Sequence, residues 1–64
     1  MNFLDKEVRA AFGRVLVGVR KHKNLTREVA ANRSGFAVGS LLNWERGNVS
    51  LSMDNFFRLC NAFQ

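Results

Sequence analysis

The stretch TREVAANRSGFAVGSLLNWERG, Thr26 to Gly47, decides how this chain folds. Thr26 is a good N-cap, because its hydroxyl accepts from the backbone N–H groups that a helix leaves open in its first turn. From it a helix runs through Glu28, Val29, Ala30 and Ala31 to Arg33, and Gly35 ends it. Ala37 to Trp44 reads as the next helix, with Phe36, Leu41 and Trp44 turned inward, and Gly47 ends that one. Two helices of about eight residues hinged on a glycine make particular demands. A small side chain must stand where they touch, and Ala31 supplies it. The turn must accept a positive φ, and Gly35 does so.

Upstream, Leu4, Val8, Phe12, Val15, Leu16 and Val19 recur at helical spacing and predict one apolar face on a first helix from Leu4 to Lys23. Asp5 and Glu7 near its start and Arg20, Lys21, His22 and Lys23 at its end suit the helix dipole. Asn24 tolerates the left-handed conformation that closes a helix. Gly13 and Gly18 each weaken this helix by about 1 kcal/mol relative to alanine, and they allow another helix to come close. Downstream, Asn48 to Leu51 is a loop and Ser52 caps a further helix with Asp54 in its first turn. Met53, Phe56, Leu59, Cys60 and Phe63 should face the core, while Phe57 flanks that face and should be partly exposed. The expected fold is all-α: a compact bundle of four short helices, five at most, in a single domain over residues 1–64.

The 64 residues include one cysteine, no proline and 47% hydrophobic residues. A lone cysteine rules out an intrachain disulfide, and no cluster has the spacing of a metal site, so packing must hold the fold and neither metal nor cofactor is expected. The longest apolar stretch, Val8 to Val19, is broken by Arg9 and Arg14 and falls short of the ~20 residues a bilayer needs. Met1 to Leu4 lacks the basic start of a secretory leader, so the expected location is the cytoplasm. His22 is the only histidine and sits among cations, with no nucleophile or carboxylate arranged around it; catalysis is not expected. Ten Lys and Arg against five Asp and Glu give a net charge of +5. Arg14, Arg20, Lys21, Lys23, Arg27 and Arg33 form a basic block broken only by Glu28. Such a block serves as a phosphate-facing surface or as a solvated face that keeps the chain soluble.

The string Leu25-Thr26-Arg27-Glu28, then Ala31, Gly35-Phe36, Leu41 and Trp44-Glu45-Arg46-Gly47, resembles the Cro/lambda-repressor type helix-turn-helix domain. Phe12-Gly13, Arg20 and the run Ser52 to Leu59 fall at matching positions, so the resemblance covers about Phe12 to Phe63. It implies a regulator of transcription that binds double-stranded DNA, with the helix from Ala37 to Trp44 in the major groove. The resemblance places Val38, Gly39, Asn43 and Ala37 against base edges, with Leu42 at the margin. It places Arg27, Ser40, Arg46, Asn48 and Lys23 against phosphates. It also implies a buried ion pair between Arg20 and Glu45.

The departures from the family are informative. Arg27 stands where glutamine is usual, which should keep a phosphate contact and lose the amide's ability to brace a neighbour. Ser34 replaces a usual leucine and should loosen the packing of its helix. Leu51 stands where proline is common. The reading helix is poor in polar groups: Asn43 alone can form a bidentate bond to adenine, while Val38 and Ala37 suit thymine methyl groups. So little direct readout favours a homodimer on a pseudo-palindromic operator, paired through Phe57, Phe63, Val49 and Leu51. A repressor of phage, mobile-element, antitoxin or controller type fits this pattern. The same apolar helix leaves open an interaction module that keeps the fold and binds a protein partner, such as another regulator.

Overall fold

Side chains and glycines suited to stopping a helix stand at most of the helix ends. In a computed structural model, which describes residues 6–64, α1 spans Lys6–His22, α2 Arg27–Ser34, α3 Val38–Arg46 and α4 Met53–Ala62, with no strand among the described residues. Leu4 and Asp5, expected in the first helix, lie outside the described residues. Asn24 takes the left-handed conformation at φ 59° after α1. The Thr26 hydroxyl accepts from the Val29 N–H at 3.1 Å, and the Ser52 hydroxyl accepts from the Asn55 N–H at 3.2 Å. Gly35 closes α2 at φ 78°, and Gly47 closes α3 at φ 75°. The third helix runs further than expected, to Arg46, and Ala37 precedes it as a cap residue whose side chain offers no acceptor.

The core joins Leu16 of α1, Ala30 and Ala31 of α2, Leu41 and Trp44 of α3, and Leu59 and Phe63 around α4, with Leu25, Phe36, Leu51 and Phe56 packed against it. Leu41 and Leu59 are fully buried, each worth roughly 1.5–3 kcal/mol of transfer free energy. Phe36 meets Trp44 edge-on with ring centroids 4.8 Å apart. Trp44 is thus part of the core.

Two expectations about buried faces are corrected. On α1 the buried residues are Gly13, Leu16 and Arg20, while Val8, Phe12, Val15 and Val19 are exposed, Val15 by 60%. The cause is Gly13. A Cβ there would overlap the Glu45 carbonyl oxygen and lie 2.6 Å from that of Trp44, so the bare backbone of α1 lies directly on the end of α3. Contact through backbone centres the inner face of α1 on Gly13, Leu16 and Arg20, so that of the described apolar stripe Leu16 alone is buried. At the same junction, a Cβ on Gly47 would lie 2.6 Å from the Ala10 nitrogen. The Arg9 Nε donates to the Gly47 carbonyl at 3.0 Å and ties the two helices together there. Gly18, by contrast, faces open space. On α4, Met53 at the first position of the helix is exposed rather than buried, and Cys60 is half-buried.

Ser34 fills its buried place in α2 without leaving a polar group unpaired. Its buried hydroxyl donates back to the Ala30 carbonyl at 2.8 Å, satisfying itself within the helix. Its own carbonyl accepts from Arg58 Nη2 at 3.0 Å, and the Arg58 guanidinium lies over the Phe36 ring at 4.2 Å. Arg58 therefore ties α4 to the turn between α2 and α3, a brace that nothing in the residue spacing announces.

Candidate nucleic-acid interface

The third helix divides into two faces. Leu41, Trp44 and Glu45 point inward and are buried. Gly39, Asn43 and Arg46, at spacings of four and three, share the opposite face and are exposed. Ala37 and Val38 are exposed at the start of the helix, whereas Ser40 and Leu42 are half-buried at its flanks. Asn43 Oδ1 accepts from Asn48 Nδ2 at 3.4 Å, so the loop after α3 lies against the one side chain of the helix able to pair with adenine on two atoms.

Beneath this helix, Arg20 and Glu45 meet. Arg20 Nε donates to Glu45 Oε2 at 2.7 Å and its Nη2 to Oε1 at 3.4 Å, with 8% of the arginine side chain and 2% of the glutamate side chain exposed. Arg20 Nη1 also donates to the Leu25 carbonyl at 2.9 Å, on the link into α2. One group thus joins α1, the α1–α2 connection and the end of α3.

Glu45 holds a second arginine. Arg27 Nε donates to its Oε1 at 2.8 Å, so Arg27 does brace a neighbour, contrary to the expectation from its replacement of glutamine. The guanidinium reaches across from α2 where an amide would be shorter. Lys23, Arg46 and Asn48 are exposed at the end of α1 and around the end of α3. Arg27 lies at the start of α2, and Ser40 sits half-buried on α3.

A family profile for the helix-turn-helix matches residues 19–64. The solved structure of the restriction-modification controller protein C.AhdI from Aeromonas hydrophila is similar to this chain, with a TM-score of 0.84 and 31% identity over 86% of this chain and 83% of that one. A search of curated protein sequences gives no significant match. No helix among the described residues is long and apolar enough to cross a membrane. The chain belongs to the Cro/C1-type helix-turn-helix family, a family of DNA-binding regulators of transcription.

Proposed function

We propose that this chain is a sequence-specific, cytoplasmic, non-enzymatic repressor that binds an operator as a homodimer, with α3 in the major groove. The observation that carries the reading is the division of α3: Leu41, Trp44 and Glu45 anchor it while Gly39, Asn43 and Arg46 face out on one side. Among regulators of this build, the likeness to a restriction-modification controller favours a controller role. Val38, Gly39, Asn43 and Ala37 read bases. Arg27, Ser40, Arg46, Asn48 and Lys23 hold phosphates.

The case for a dimer is energetic. One bidentate contact discriminates by ~1–3 kcal/mol, whereas useful specificity needs ~4–10 kcal/mol over non-specific binding. Two copies of α3 placed ~34 Å apart on a pseudo-palindromic site double the contacts, and DNA shape adds to them. Phe57, 58% exposed, and Val49, 46% exposed, are the apolar side chains offered for pairing. Phe63 is buried in the core and Leu51 packs against it, so neither belongs to that surface. Selection from a random duplex pool should return a two-fold symmetric site bound by two chains. Asn43→Ala should relax preference at one base pair per half-site and cost ~1–3 kcal/mol there. One chain per site, or an unchanged preference in the variant, counts against the proposal.

The exposed Val38 and half-buried Leu42 favour one competing reading, a module that binds another regulator through α3. Association with a protein that is insensitive to salt, without affinity for duplex DNA, is its signature.

A further inference from the structure

Glu45 faces two arginines with one negative charge, and the two are placed differently. The side chain of Arg20 is 8% exposed and that of Arg27 is 33% exposed. A glutamate matched by one buried arginine leaves the group with one positive charge in surplus, and that surplus falls on the residue nearer solvent. Arg27 touches Glu45 through Nε alone, and among the described residues its two Nη groups have no protein partner. Its planar fork is therefore held at one edge and open at the other.

We infer that Glu45 is a positioning residue for DNA binding: it fixes the Arg27 guanidinium at the start of α2 so that the two Nη groups present a ready-made fork to a backbone phosphate. The inference rests on the DNA-binding reading and deepens it. A guanidinium fits phosphate oxygens on two atoms, and one already immobilised loses little freedom on contact. Through Glu45 the same carboxylate that orients α3 also aims the charge on α2, so the base-reading and phosphate-holding elements share one anchor. A lysine at this position keeps the charge but cannot hold Glu45 and offer two further donors in a fixed plane.

The test compares wild type with Arg27→Lys and Arg27→Ala, both at a half-exposed position, by titrating random-sequence duplex DNA across a salt series. In the free protein, NMR should also show the Arg27 Hε protected from exchange with water. Arg27→Ala should lower the salt slope by about 0.9, the release expected for one phosphate. Arg27→Lys should leave the slope unchanged and weaken binding about tenfold at fixed salt, through lost geometry alone. Lysine binding as tightly as arginine, or an unprotected Hε, would overturn the positioning role while leaving DNA binding intact. An unchanged slope in Arg27→Ala would reduce Arg27 to a structural partner of Glu45. Wild type without affinity for duplex DNA would remove the DNA-binding reading and the inference together.

Discussion

Glu45→Ala is expected to unfold the protein at room temperature or to lower its melting midpoint by about 15 °C or more. The substitution leaves the Arg20 guanidinium, 8% exposed as a side chain, without its carboxylate. The Leu25 carbonyl still accepts from Nη1, but a carbonyl does not neutralise a buried cation. Removing one partner of a buried pair costs ~3–5 kcal/mol, against ~3–10 kcal/mol for the whole stability of a domain of this size. The loss is compounded because Arg27 also loses its partner. Glu45→Gln, which keeps the shape and one acceptor, should fall between alanine and wild type. Replacing both members, Arg20→Met with Glu45→Leu, should recover most of the stability, since well-packed apolar groups match or exceed a buried pair. Thermal and urea denaturation followed by circular dichroism decide the matter. A Glu45→Ala midpoint within a degree or two of wild type would show that the charge is not confined.

The two mid-helix glycines of α1 should respond to alanine with opposite signs. At Gly18 nothing lies within 4 Å of an added Cβ, so Gly18→Ala should stabilise by roughly 0.5–1 kcal/mol through helix propensity alone. At Gly13 the added carbon meets the carbonyls of Trp44 and Glu45, which are backbone and cannot rotate aside. The helices must part, and the buried ion pair between them must stretch as they do. Overpacking of this kind costs ~1–3 kcal/mol and more when backbone is involved, which outweighs the same propensity gain. Gly13→Ala should therefore melt well below wild type while Gly18→Ala melts above it. Equal shifts in the two variants would mean that α1 and α3 are not in backbone contact.

The ends of α2 and the starts of α2 and α4 were legible in the sequence, because Thr26, Gly35 and Ser52 act locally and their chemistry does not depend on distant partners. The helical pattern stops at Trp44, two residues short of the end of α3 at Arg46, although Gly47 marks the stop. The inner face of α1 is legible in part: Leu16 is buried and Gly13 admits the end of α3 as the sequence implies, whereas Val8, Phe12, Val15 and Val19 face outward. Periodicity identifies which residues are apolar, yet the contact is made by a residue with no side chain, Gly13, and by a charged one, Arg20, both invisible to a count of hydrophobic positions. Family likeness singled out Arg20 and Glu45 together, but not the second arginine on the same carboxylate. Substituting arginine for glutamine reads as a change of charge until the distance to Glu45 is known. The partner of the Ser34 hydroxyl is likewise hidden from the sequence, since its bond to the Ala30 carbonyl depends on the helix geometry.

The two-sidedness of α3 has an evolutionary consequence. Leu41, Trp44 and Glu45 hold the helix, while Gly39, Asn43 and Arg46 take no share in the core. Substitutions on the outer side can then accumulate with stability changes of the few tenths of a kcal/mol typical of surface positions. Under the base-reading role proposed for α3, a lineage carrying this scaffold exchanges one target sequence for another in single mutational steps, each passing through a folded ancestor. Transplanting the outer residues of a related helix onto these inner anchors should carry the related preference with them.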